Sequence, residues 1–122
     1  MKDFCVIGSG ISGATIANHL SKKYIVDVYD KARGAGGRAS NKKFNLKKSF
    51  DHGAQYISPK NIKFKRFVDN LISKKILKKW PGKHLFLKEN IKENKKHIKI
   101  IGKNGNNAIS KYLLKDINCF FN

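Results

Sequence analysis

The residues best suited to chemistry are the run Gly8-Ser9-Gly10-Ile11-Ser12-Gly13 and the acid Asp30, which stands twenty positions after Gly10. In a G-x-G-x-x-G run the first glycine permits a tight turn. The second lets the backbone approach a pyrophosphate, and the third lets a helix pack close to a strand. The first N–H groups of a helix opening there have no internal acceptor and point at the phosphates. A carboxylate at Asp30 can accept hydrogen bonds from the hydroxyls of an adenosine ribose. The chemistry implied is recognition of a dinucleotide; no acid, base or nucleophile is assigned.

These groups need a strand, a turn, a helix and a second strand to hold them. The short, partly β-branched run Phe4, Cys5, Val6, Ile7 reads as a buried parallel strand ending at Gly8. Ile11, Ala14, Ala17 and Leu20 recur at a spacing of three and predict a helix over 11–22. Ile25, Val26, Val28 and Tyr29 make the second strand, which delivers Asp30 to the phosphate end of the unit. Strand, glycines, helix, second strand and terminal acid fall in register, and a chance match of the glycines alone does not account for all five. The unit by itself does not separate NAD from FAD.

The segment Asp30-Lys31-Ala32-Arg33-Gly34-Ala35-Gly36-Gly37-Arg38 follows at once. Gly36 and Gly37 permit positive φ and close approach to a second stretch of cofactor phosphate, and Arg38 offers a fork of charge-assisted hydrogen bonds. This pattern resembles the R-x-G-G-R motif of the two-dinucleotide-binding-domain flavoproteins, the amine oxidase and phytoene desaturase superfamily. Phe50-Asp51-His52-Gly53-Ala54-Gln55-Tyr56 is similar to the D-x-G-A-Q-Y segment of its renalase-like branch. The resemblance implies FAD as cofactor, with contacts from residues 8–13, Asp30, Lys31, Arg33, Gly36, Gly37, Arg38, Gly53, Ala54, Gln55 and Tyr56. Gln55 and Tyr56 are implied to meet the flavin portion. It also implies hydride transfer to the flavin from an amine or from NAD(P)H as substrate, the isoalloxazine supplying the chemistry.

The chain has 122 residues and a formal net charge of +19, from 27 basic residues against eight acids. Only Arg33, Arg38 and Arg66 are arginines, and two of these belong to the glycine motif. Nucleic-acid recognition favours the bidentate guanidinium, so the charge argues for weak, salt-sensitive association with polyanions over specific binding. Lysine, asparagine and isoleucine share A- and T-rich codons, a sufficient source of the bias. Cys5 and Cys119 have no C-x-x-C partner and read as reduced apolar thiols in a cytoplasmic protein. His19, His84 and His97 are too dispersed for a metal site. No apolar run reaches the ~18 residues that a membrane helix needs.

Residues 39–50 predict a small β-hairpin around a polar turn. Ser58 as N-cap and Pro59 at the first helical position predict a helix carrying Phe64, Phe67, Val68, Leu71 and Ile72 inward. Trp80 reads as a core or interface aromatic. Lys83 to Glu89 and Lys96 to Ile101 predict two strands joined by Asn90 to Lys95. The loop from Gly102 to Asn107 precedes a helix from Ala108 to about Lys115, capped by its asparagines, and Ile117 to Phe121 begins another strand. The resembled family carries proline and Gly-Met in that loop, so Asn104 and Asn106 put its usual packing near the cofactor in doubt. The later strands read as hairpins, not as further crossover units. An apolar sheet edge and part of a helix-covering face are therefore expected to stand open.

The expected fold class is α/β. A Rossmann-type βαβ dinucleotide-binding unit is followed by a β-hairpin, helices and the start of a mixed α+β substrate region. Residues 1–57 form the FAD-binding unit and residues 58–122 begin a cap or substrate region. The resemblance implies the N-terminal FAD-binding portion of a flavin-dependent oxidoreductase, a fragment or split-gene product whose partners would include a small-molecule substrate and a separately encoded C-terminal half. A non-catalytic nucleotide-binding module is the alternative, and a basic nucleic-acid-binding protein a weaker one.

Overall fold

Three parallel strands carry the candidate site in a computed structural model that describes residues 1–45, 48–81 and 98–122. Strand β1 (Phe4–Ile7) pairs with β2 (Val26–Asp30), Val6 opposite Val28 and Ile7 opposite Tyr29. The connection between them is helix α1 (Ile11–Leu20), two residues shorter than the sequence predicts. Ala14 and Ala17 on its inner face are wholly buried, so the helix lies close to the sheet.

Strand β3 (Asn41–Lys43) and β4 (Ser49–Asp51) form the antiparallel hairpin expected for residues 39–50. Helix α2 (Ile62–Ser73) starts later than the Ser58-Pro59 signal suggests. Asn61 is its N-cap, its side-chain oxygen accepting from the Phe64 N–H at 2.8 Å. Residue 57 is committed elsewhere: its backbone exchanges hydrogen bonds with that of Ile100. An extended segment at Ile57 leaves the chain to turn before a helix can begin. Val68 and Leu71 are fully buried on the inner face of α2, as its periodicity requires.

Strand β5 (Leu77–Lys79) pairs antiparallel with β6 (Ile100–Gly102). The predicted strand 83–89, the turn 90–95, His84 and His97 lie outside the described residues. Helix α3 (Ala108–Leu113) follows, with Ile109 and Leu113 buried. Its packing against α1 is fastened by the Asn18 amide, which donates to the Leu113 carbonyl at 2.8 Å.

The last strand, β7 (Asn118–Phe121), corrects the expectation that the later strands only form hairpins. It lies parallel to β2, Val28 opposite Cys119, giving the order β1-β2-β7. This is the 3-2-1 side of a doubly wound sheet, with β7 in the third place. Alternation puts Val6, Val28 and Cys119 on the face covered by the helices, where they meet a core that also includes Leu71, Leu77, Ile100 and Ile109. The same alternation turns Ile7, Tyr29 and Phe120 to the other face.

That other face stands open. Ile7 is 80% exposed, and Tyr29 and Phe120 stack at 4.7 Å while remaining about half exposed. The sequence predicts β1 as a buried strand; the strand forms in the expected register, but only Val6 of its four residues is partly covered. The reason is position. Among the described residues nothing pairs with the outer edge of β1 or lies over its second face. Asp27 is the exception on this side, buried with its carboxylate 3.1 Å from the Lys2 ammonium. No helix among the described residues is long and apolar enough to cross a membrane.

Candidate dinucleotide-binding site

The first glycine loop has the geometry that its spacing predicts. Gly8 takes φ +97, a conformation that L side chains rarely adopt. A Cβ at Gly13 would lie 1.9 Å from the Gly8 carbonyl oxygen, so the start of α1 packs directly on the turn. Gly10 differs from both. Its backbone is extended (φ −66, ψ 178), and a Cβ there would meet only the Gly37 Cα, at 3.7 Å. Among the described residues nothing lies close enough to exclude a Cβ at Gly10. Gly10 adjoins the N-terminal turn of α1 and provides it no side-chain cap. The exposed Ile11 and Ser12 begin that turn.

Asp30 closes the loop from the end of β2. One of its carboxylate oxygens accepts both the Ser9 N–H, at 2.7 Å, and the Ser9 hydroxyl; the other accepts the Ala32 N–H at 2.9 Å. The Ser9 hydroxyl most, then the Ala32 and Ser9 amides, hold the Asp30 carboxyl below the ordinary carboxylate range against an opposing contribution from burial, with Lys31 adding a lesser lowering. A carboxylate has about four acceptor positions; three are used, and the remaining one is available to a ribose hydroxyl.

The depressed pKa has a signed consequence. A carboxylate more acidic in the folded than in the unfolded state contributes stability that is complete above the unfolded pKa and is lost as pH falls through the folded one. From about pH 4 downward, the parent should therefore lose stability more steeply than Asp30→Asn. Urea midpoints measured from about pH 2 to about pH 7, roughly half a unit apart, check this, and parallel curves for the two proteins would refute it.

The second glycine motif docks on the first. The Gly36 N–H donates to the Ser9 carbonyl at 3.1 Å, and Gly10 and Gly36 form a parallel bridge. Gly37 lies so near that a Cβ on it would be 3.0 Å from the Gly10 Cα. The side chains of Lys31, Arg33 and Arg38 are exposed, and among the described residues neither guanidinium has an ion-pair partner.

The third motif is fastened to the second through its backbone. The Ala54 N–H donates to the Arg38 carbonyl at 2.8 Å, and a Cβ on Gly53 would stand 2.1 Å from the same oxygen. Gln55 is exposed. Tyr56 is half-buried and turns to Trp80, ring centroids 6.1 Å apart, with the Lys99 ammonium 4.6 Å from the Tyr56 centroid. Residues 8–13, Asp30, Gly36, Gly37, Gly53 and Ala54 are thus joined by direct backbone or carboxylate contacts. Tyr56 belongs to an aromatic cluster on the β5 and β6 side.

Three residues in this assembly were not among the sequence-based candidates. Asp51 accepts from the Asn41 amide at 3.1 Å and from the Asn106 N–H at 2.8 Å. Asn106 and Asn107 are both buried, although the sequence reads them only as helix caps. Asn107 does occupy the N-cap position of α3, but its side chain makes no cap bond and reaches Ala35 instead. The available signal was the departure of this loop from the resembled pattern at Asn104 and Asn106; Asn106 proves to be the most connected side chain of the loop among the described residues.

At the carboxyl ends of the three strands lies an open cavity of about 270 Å³, lined by Ile7, Tyr29, Asp30, Lys31, Phe120 and Phe121. Open α/β sheets bind ligands at this end. Among the described residues no group of three His, Cys, Asp or Glu side chains could hold a metal ion.

Solved structures similar to this chain include two of putrescine oxidase. One is a double mutant from a structure-based redesign of its cofactor binding, 26% identical with a TM-score of 0.49. The other is the wild type bound to putrescine, 25% identical with a TM-score of 0.49. Each match covers 65% of this chain and 17% of the oxidase, so the chain spans about a sixth of the length of those proteins. A family model matches residues 6–71, more than half of the chain, and takes in both glycine loops, Asp30, the hairpin and most of α2. With the parallel βαβ unit and its glycine turn in place, that match identifies the chain as a member of the NAD(P)-binding Rossmann-like domain family.

Proposed function

We propose that this chain is the FAD-binding portion of a flavin-dependent oxidoreductase and grips the ADP half of the cofactor. The observation that carries the reading is the docking of the second glycine loop on the first. Gly36 bonds to Ser9 and Gly37 abuts Gly10, so the two glycine loops meet beside Ser9, whose N–H and hydroxyl both bond to Asp30. A single glycine turn suffices for a dinucleotide pyrophosphate. The paired loop with the exposed Arg38 fork is the feature that resembles the amine oxidase superfamily. Residues 8–13 would seat the pyrophosphate, Asp30 the ribose, and Gly36 to Arg38 the adjoining phosphate. Gly53, Ala54, Gln55 and Tyr56 would extend the wall toward the flavin. When bound, the isoalloxazine would accept a hydride equivalent from an amine or from reduced nicotinamide. In this reading residues 1–57 carry the cofactor contacts and residues 58–122 open the substrate side, while β7 of the latter completes the sheet of the cofactor unit.

Equilibrium binding tests this. FAD and ADP-ribose should compete for one site, and 2′-phospho-ADP-ribose should bind at least about tenfold more weakly, since the ionised Asp30 repels a 2′-phosphate. Tighter binding of the phosphorylated ligand would mean that Lys31 and Arg33 receive the phosphate and that the site takes NADP. Failure of FAD to displace bound ADP-ribose would exclude the flavin assignment.

A further inference from the structure

The loop between β6 and α3 makes no part of either glycine motif, yet two of its three asparagines, Asn106 and Asn107, bond to the segments that carry the second glycine loop and the third motif. Asn106 is 1% exposed. Its side-chain oxygen accepts the Gly102 N–H at 2.8 Å, its amide donates to the Ala54 carbonyl at 2.7 Å, and its backbone N–H donates to Asp51 at 2.8 Å. Ala54 is in turn bonded to the Arg38 carbonyl. Asn107 gives up the local N-cap bond that asparagine favours and donates to the Ala35 carbonyl 72 positions back, at 3.3 Å. Its Cβ lies beneath the second loop, where a Cβ on Gly36 would come within 2.8 Å of it. A buried N–H without an acceptor costs the desolvation of the group, which holds each of these side-chain amides to its carbonyl; the Asn107 Oδ1 is buried without a partner among the described residues.

We infer that Asn106 and Asn107 are positioning residues that set the spacing of the dinucleotide cradle: Asn107 holds the second glycine loop against the first through Ala35, and Asn106 holds the Gly53 and Ala54 segment against Arg38. The functional consequence rests on the site proposed above; the positioning itself does not. Neither asparagine is assigned a contact to the ligand, so their replacement acts on affinity through the backbone.

Residue-resolved amide hydrogen exchange on the unliganded chain, with ADP-ribose titrations in parallel, tests this for Asn107→Ala and Asn106→Asp. Asn107→Ala should accelerate exchange at the Gly36 amide by about tenfold, the value of one lost hydrogen bond, and leave the Ala54 amide unchanged. Asn106→Asp keeps the acceptor for Gly102 but loses the donor to Ala54, and should accelerate Ala54 selectively. Each variant should weaken ADP-ribose by about tenfold. Uniform acceleration through β2 and α1, or no change at Gly36, would overturn the inference. Should Asn106→Asp not fold, the Asn107→Ala pattern decides it alone. A parent chain that binds no ADP-ribose would remove the proposed function, and the exchange pattern would still decide the positioning role.

Discussion

Valine in place of Gly10 is expected to weaken FAD or ADP-ribose binding by at least about 100-fold, close to 3 kcal/mol, while the protein stays folded. The separation of the two effects comes from geometry. Gly10 sits at φ −66 and ψ 178, extended backbone open to any residue, and a Cβ there makes one ordinary contact with the Gly37 Cα at 3.7 Å. The stability cost should therefore stay within about 1 kcal/mol, typical of a surface or cap substitution. The γ-methyl groups would stand over the glycine turn, where a pyrophosphate must approach the backbone. Isothermal titration beside thermal unfolding reads both quantities. Unchanged affinity in Gly10→Val would mean that the loop is not the phosphate seat.

Three residues further along, Gly13→Ala should do the reverse. Its Cβ would stand 1.9 Å from the Gly8 carbonyl oxygen and 3.0 Å from the Gly8 carbonyl carbon. Both atoms are backbone, so no rotamer change relieves the clash, and α1 must move away from the turn. That movement disturbs Ala14 and Ala17, which are fully buried against the sheet. A loss of about 3 kcal/mol is expected, at the upper end for overpacking, with a fall in Tm of about 10 °C. Circular dichroism melting of the two proteins checks it. A Gly13→Ala protein that melted with the parent would show that the helix has room to shift, and the tight helix-to-turn packing would not be a constraint on the fold.

The opposite outcomes expected at Gly10 and Gly13 show what the motif does and does not say. Spacing alone assigns three roles to three glycines. The structure separates a residue kept small for the fold, Gly13, from one, Gly10, whose Cβ would meet only the Gly37 Cα among the described residues. A similar division runs through the later segments. The amphipathic face of α2 was legible because Phe64, Phe67, Val68, Leu71 and Ile72 repeat at helical spacing. Its start was misplaced because Ser58-Pro59 is a good local signal that competes with an extended segment at Ile57, whose partner, Ile100, lies far away in sequence.

By itself the sequence determined the βαβ unit, the hairpin at residues 41–51 and the alignment of the first glycine loop with Asp30. All of these depend on turn chemistry and side-chain period acting over a few tens of residues. Tertiary structure alone decided that β7 joins β2 in parallel, that Ile7, Tyr29 and Phe120 share an open face, and that Tyr56 turns to Trp80. It also decided that Asn106 and Asn107 abandon capping to tie two distant segments, at Ala54 and Ala35, to their own loop. The physical reason is common to the pairing of β7 and to the asparagine bonds. A strand edge or a buried amide is satisfied by whichever group the packed chain brings within about 3 Å, and local propensity carries no information about a partner fifty or more positions away, as Ala54 is from Asn106.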